Sequence, residues 1–201
     1  LKLNHFYTPA LKEMSQMLTA TWNAFQVGED QLEHYVDIMA ALGANTATSL
    51  EEISEALQKV ASTANVTGVS MEKMSSMVAT VSSTTRQAAN VVGTAFNTIL
   101  GRISSLKLGE TLEDGVTLTK YTQALGQIGV NVLDATGNLR NMGDVIEEIG
   151  GKWKTLTTAQ QSALASTIGG VRQYTNLIAL FNNWDQYQKN LSVATNSAGQ
   201  L

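Results

Sequence analysis

The apolar period changes twice within Leu125–Trp153, LGQIGVNVLDATGNLRNMGDVIEEIGGKW, and this narrows what the chain can fold into. Ile128, Val130 and Val132 alternate with Gly129, Asn131 and Leu133 at a period near two, the spacing of a strand. Asp134-Ala135-Thr136-Gly137-Asn138 follows, and its carboxylate, left-handed-tolerant glycine and amide suit a tight reversal. Val145, Ile146, Ile149 and Trp153 then return at helical spacing. The stretch predicts a helix, a small β-hairpin near 129–140, and a second helix.

Most of the chain outside that stretch reads as helix. Thr8-Pro9 resembles an N-cap with proline in the first helical position, and Leu11, Met14, Leu18, Trp22 and Phe25 follow at three- and four-residue steps up to Gly28. A second helix is predicted from Glu29 to Leu42, with Leu32, Tyr35, Val36 and Met39 on one face and Gly43 as its C-cap. Ser49-Leu50-Glu51-Glu52 is a capping box, in which the serine hydroxyl and the glutamate side chain satisfy each other's backbone N–H. Leu50, Ile53, Leu57, Val60 and Ala64 form the stripe that follows, and Gly68 ends it. Ser70 opens a helix with Met71, Met74, Met77, Val78 and Val81 on one side, a methionine stripe suited to filling an irregular core. The longest helix is predicted from Thr85 to Leu106, with Ala89, Val92, Phe96, Ile99, Ile103 and Leu106 buried and Gly93 placed for close approach by a neighbour. After a loop at 107–115, a short helix is expected over Val116–Ile128, carrying Leu118, Tyr121 and Leu125. Beyond the hairpin come a helix from Gly143 to Trp153, a second capping box at Thr157-Thr158-Ala159-Gln160, and a helix with Leu164 and Ile168. A break follows at Gly169-Gly170, then a last helix from Val171 to Leu191. No heptad is sustained and no fixed period repeats. The expectation is an all-α, mainly helical, compact multi-helix domain with one small β-hairpin. Residues 1–107 and 108–201 form its N- and C-terminal halves in one continuous domain.

Composition bounds the function. Hydrophobic residues make up 43% of the 201, enough for a core, whereas charged residues are only 15%. The surface is therefore largely neutral and polar, which favours packing against protein partners. Lys and Arg number 13 against 17 Asp and Glu, without a basic run, so the electrostatic footprint expected of a nucleic-acid binder is missing and no nucleic-acid partner is expected by charge. The chain contains no cysteine, which removes disulfides, thiolate catalysis and the common zinc sites. Ala88–Gly101, the most apolar window, is too short and too polar for a bilayer span of ~20 apolar residues. Leu1 opens the chain without a methionine or signal peptide, and it ends on Asn196-Ser197-Ala198-Gly199-Gln200-Leu201. Both ends read as cuts in a longer polypeptide.

Chemistry-bearing constellations are few. His5 stands at the extreme start, and Asp30, His34 and Asp37 fall on one helix face at a spacing compatible with metal ligands. Solvated charges are the default there, because one face of one helix rarely makes a site. Asp144, Glu147 and Glu148 favour the positive N-terminal end of their helix rather than act as an acid/base pair. Gly169-Gly170-Val171-Arg172 lacks the strand and the Lys-Ser/Thr of a phosphate loop, so it reads as a helix-to-helix turn. Asn65-Val66-Thr67 and Asn190-Leu191-Ser192 match the glycosylation triplet, which is frequent by chance. Trp22, Trp153 and Trp184 are assigned to core packing, with interface anchoring as the alternative. No residue is nominated as catalytic, cofactor-binding or metal-ligating, and no cofactor is called for.

Over roughly Leu18–Leu191 the chain resembles the core region of phage tail tape measure proteins, the long minor tail proteins of long-tailed bacteriophages and prophages. The resemblance rests on Ala47-Thr48-Ser49-Leu50-Glu51-Glu52, Gly68-Val69-Ser70-Met71-Glu72 and Val92-Gly93-Thr94-Ala95-Phe96. It continues through Ile99-Leu100-Gly101-Arg102-Ile103, Leu125-Gly126-Gln127-Ile128-Gly129-Val130 and Asp134-Ala135-Thr136-Gly137-Asn138-Leu139-Arg140. Trp153 with Leu156 and Gly169-Gly170-Val171-Arg172 close the series, whose order and spacing count for more than any single motif. Leu1–Met17 fits the pattern least.

The resemblance implies a structural, non-enzymatic virion component, made in the bacterial host cytoplasm and placed in the virion tail. Its implied roles are tail assembly, tail-length determination and genome delivery. The implied partners are the tail-tube protein, tail assembly chaperones and tail-tip proteins, with homo-oligomers and membrane contact left open. Two other classes compete: a helical adaptor or membrane-active module, and a cell-wall hydrolase of the kind tape measure proteins can carry. The first lacks the Lys/Arg-rich polar face of an interfacial helix. The second lacks a convincing Glu, Cys/His or His/Asp constellation.

Overall fold

Both capping boxes start helices. The Ser49 hydroxyl accepts from the Glu52 N–H at 3.2 Å and the Ser49 N–H donates to the Glu52 carboxylate at 2.8 Å; Thr157 and Gln160 repeat the exchange at 3.2 and 2.9 Å. The computed structural model describes residues 8–26, 28 and 31–198. Among these it contains nine α-helices: α1 Thr8–Phe25, α2 Leu32–Asn45, α3 Leu50–Thr67, α4 Met71–Thr85, α5 Ala89–Lys107, α6 Leu118–Gly126, α7 Met142–Lys152, α8 Thr158–Asn182 and α9 Trp184–Thr195. A 3-10 turn, Trp153–Thr155, follows α7. The side chains of Leu11 and Met14 lie outside the described residues, as do His5 and Asp30.

One buried cluster runs from Phe25 on α1 to Ala194 on α9. The helix α4 lies inside it, in contact with α2, α3, α5, α8 and α9. Ten of its fifteen residues are buried, and Met71, Met74 and Met77 are core, as their spacing predicts. Two of its buried hydroxyls bond back along the helix, Ser76 to the Glu72 carbonyl at 2.6 Å and Thr80 to the Ser76 carbonyl at 2.7 Å, whereas the buried Ser75 hydroxyl has no hydrogen-bond partner. Gly93 of α5 sits on Ala56 of α3, and Asn97 pairs with Thr63, so α3 and α5 run in the same direction side by side.

The β-hairpin near 129–140 is not formed. Among the described residues there is no strand, only an isolated antiparallel bridge between Leu133 and Leu139. Val130 and Val132 are buried as the alternation predicts, and the reversal is real: the Gly137 N–H donates to the Asp134 carbonyl at 3.1 Å, and Gly137 has φ 83°. What is missing is a second arm. Asn141 is already the N-cap of α7, its side chain accepting from the Gly143 N–H at 3.0 Å, so only Leu139 and Arg140 remain to pair. Ile128 and Gly129 instead belong to the turn that closes α6, their N–H groups donating to the Leu125 and Gly126 carbonyls, and residues 130–133 lead from it into the tight turn at 134–138.

Three helix boundaries also differ from expectation. Gly43 does not cap α2, which continues to Asn45; a Cβ there would lie 3.1 Å from the Leu50 N, so the glycine makes room for the start of α3. The long helix begins at Ala89 rather than Thr85, because Arg86 turns into the left-handed region (φ 58°) and ends α4. The last predicted helix is two, parted at Asn183, whose side-chain amide donates to the Ala179 carbonyl at 2.8 Å.

Candidate functional site

His34 on α2 finds its partner on α4: its Nε2 lies 2.9 Å from Glu72 Oε1. Neighbouring Tyr35 is pushed up to about 12 by burial and, secondarily, by the Glu72 charge. Asp37 is 4% exposed, so the expectation of a solvated charge fails for it. Among the described residues no three His, Cys, Asp or Glu side chains converge to hold a metal ion. The face carrying His34 and Asp37 is an inter-helix contact. Sequence spacing could not show this, since Glu72 is thirty-eight residues away.

The acidic residues of α7 divide between two cations. Lys73 Nζ reaches Asp144 Oδ1 at 2.7 Å and Glu147 Oε2 at 3.0 Å. Burial works against the Lys73 ammonium, but its bonds to Asp144 and Glu147 outweigh that and raise its pKa. The Tyr187 hydroxyl donates to Glu147 Oε1 at 3.3 Å, and burial, followed by the Glu147 charge, raises that phenol. Arg140 takes Glu148 through both terminal nitrogens and holds its carboxyl below the usual range. Glu147 and Glu148 therefore point to different partners and form no acid/base pair.

Gly169-Gly170-Val171-Arg172 is a bend inside α8. Gly170 has φ 71° and ψ 169°, a conformation essentially confined to glycine, while the residues on either side are helical. The bend leaves carbonyls of the first half without helical partners, and Arg102 of α5 takes two of them. Its Nε donates to the Ile168 carbonyl at 3.1 Å, and its Nη2 donates to the Thr167 carbonyl at 3.0 Å and to Asp114 at 2.8 Å. Arg102 was nominated for no role by sequence reasoning. The available signal was its isolation, for α5 carries only Arg102 and Lys107 as charges.

The remaining features are surfaces. Trp153, Phe181, Trp184 and Tyr187 form a continuous aromatic row, with ring centroids 4.8, 5.9 and 4.4 Å apart. Trp153 and Trp184 are buried, while Trp22 is half-buried and donates its indole N–H to the Gly28 carbonyl at 3.0 Å. Asn190 is 2% exposed and donates to Thr80 Oγ1 at 2.9 Å, so its triplet is inaccessible to a glycosylating enzyme. A groove of about 410 Å3 lies where α3 and α5 end against the start of α7, flanked by Val66 and Leu108. These two are 72% and 78% exposed, and Lys107 stands at the rim. A second groove, of about 520 Å3, follows α9 past Trp184 and Leu191. Such an arrangement offers apolar contact area to a protein. No helix among the described residues is long and apolar enough to cross a membrane.

Comparison with known proteins follows the same line. The sequence model of the family described as phage-related minor tail protein matches residues 4–170. A probable tape measure protein of Escherichia phage P2 is 26% identical over 162 residues, covering 80% of this chain and 18% of the relative. A tape measure protein of Pneumococcus phage Dp-1 is 21% identical over 168 residues, covering 84% of this chain and 14% of the relative. This chain thus spans less than a fifth of the length of either relative. No solved structure matches it.

Proposed function

The chain belongs to the phage-related minor tail protein family, and we propose that it is a folded segment of a tail tape measure protein: a structural, non-enzymatic part of the virion tail. The observation that carries this reading is the family match across most of the chain, joined by two relatives both named as tape measure proteins. The surface is consistent with it. The acidic side chains of α7 are committed to Lys73 and Arg140, and the exposed apolar residues Val66 and Leu108 suit protein contact. In this role the full polypeptide meets tail-tube protein, assembly chaperones and tail-tip proteins, and contributes to tail length and genome delivery.

The test is genetic. In-frame deletion or duplication of residues 50–107 in the phage or prophage that carries the gene should shorten or lengthen the tail seen by electron microscopy. A tape read out as helix gives about 1.5 Å per residue. Tails of unchanged length from both alleles would overturn the length-setting role, and absence of the polypeptide from purified tails would overturn the structural one.

A further inference from the structure

The bend in α8 separates the chain into a body that ends at Gly169 and an arm, residues 171–195, comprising the second half of α8 and all of α9. The arm is held by contacts that belong to its sequence rather than to its connection. Leu177, Leu180, Phe181, Trp184 and Tyr187 are buried, α9 packs on α2 and α4, and Asn190 bonds Thr80 inside the core. The connection itself is one glycine in a backbone region that side chains disfavour, held by one arginine.

We propose that this arm exchanges between two copies of the chain: α8 straightens at Gly170 into one continuous helix, and α9 seats between α2 and α4 of the second copy. In a swapped dimer every contact between arm and body is remade by an identical surface, so the balance rests on the hinge and on concentration. Straightening returns Gly170 to an ordinary helical conformation. It also gives the first N–H groups of the second half-helix, which Gly170 has no side chain to cap, the carbonyls that Arg102 now occupies. Against this stand the Arg102 bonds to Thr167 and Ile168 and the association entropy of two chains. Asp114 holds Arg102 in place and favours the bent form. The occupant is a second copy because only that chain carries the matching arm. The inference does not rest on the tail assignment.

The chain contains no cysteine, which makes cross-linking unambiguous. Lys154 in the body and Asp185 in the arm form an exposed ion pair at 2.7 Å, a pair that either copy can supply after exchange. One preparation carries Lys154→Cys and another Asp185→Cys; the two are unfolded, mixed, refolded at high concentration and treated with a short bismaleimide. Exchange gives a covalent dimer joined between the two different chains, with a dimer mass by light scattering before treatment. Gly170→Ala, which puts a Cβ at φ 71° and 2.6 Å from the Arg102 Nη1, should raise the dimer constant about a hundredfold, because each dimer relieves two hinges. Val171→Pro should abolish the dimer while keeping helicity, because proline fits the first turn of the bent second half but breaks a continuous helix, and Val171 is 72% exposed. Should Gly170→Ala lose helicity, Arg102→Gln carries the same expectation. Absence of cross-chain product in the wild type and in the hinge variants, or undiminished product in Val171→Pro, overturns the proposal.

Discussion

Gly93 of α5 lies directly on Ala56 of α3: a Cβ at position 93 would stand 2.8 Å from the Ala56 Cα and closer still to its carbonyl oxygen. Both atoms are backbone and neither can turn aside. Gly93→Ala should therefore cost about 1–3 kcal/mol through overpacking, more than the ~1 kcal/mol that alanine returns in a helix interior. On the same helix, a Cβ at Gly101 meets nothing within 4 Å, so Gly101→Ala should stabilise by about 0.5–1 kcal/mol. Urea denaturation of the two variants should give opposite signs; equal signs would sink the close crossing of α3 and α5.

Gly137 tests the turn that replaces the predicted hairpin. Its φ is 83° with nothing near its missing side chain, so the cost of a substitution there is a cost of backbone conformation. Gly137→Val should lose about 1–2 kcal/mol or more, the β-branched side chain being disfavoured at positive φ. Around it the Asp134 carboxylate accepts from the Thr136 and Asn138 N–H groups at 2.8 and 3.0 Å and from the Thr136 hydroxyl at 2.7 Å. Those bonds, the hydroxyl first, lower its pKa. An unchanged melting temperature in Gly137→Val would show that the turn is not held in this form.

The turn and the capping boxes were legible because they are local. Ser49 and Glu52, or Asp134 and Asn138, settle their geometry within a few residues, and the Met71, Met74, Met77 stripe repeats at the period of its own helix. The β-hairpin failed as a prediction because alternation over 128–133 reports burial of Val130 and Val132, not the length of a partner arm, and Asn141 consumes that arm as a cap. Gly43 misled for a related reason. A glycine near a helix end suggests a cap, whereas this one makes room for Leu50, a contact visible only in three dimensions. Arg102 with Thr167 and Ile168, and His34 with Glu72, join residues far apart in the chain, so no window of sequence contains both partners.

Three buried phenols set an alkaline limit to stability. Tyr35 is raised from 10.0 to about 12, and burial raises Tyr121 and Tyr187 as well. A raised folded pKa means that the unfolded chain releases the proton first. The stabilising contribution is then complete below pH 10 and is lost as the pH climbs through the folded value. Helicity should fall between about pH 10 and 12 together with tyrosinate absorbance, and Tyr35→Phe should move that transition upward. Tyrosinate absorbance that saturates while helicity is intact would show these hydroxyls to be solvent-accessible.

Lys73 joins α4 to α7 through Asp144 and Glu147, and its side chain is only 21% exposed. Lys73→Met keeps most of the buried stem but leaves two carboxylates facing each other without a cation, one of them hydrogen-bonded by Tyr187. The expected loss is about 1–3 kcal/mol, above the usual value of a surface pair, because removing one partner strands the others in a partly desolvated place. Added salt screens the carboxylate repulsion, so the deficit of Lys73→Met should shrink between low salt and 1 M sodium chloride. Asp144→Asn in the Lys73→Met background should recover part of the loss by removing one of the two repelling charges. A deficit independent of both salt and Asp144 would mean that Lys73 acts through packing of its stem alone.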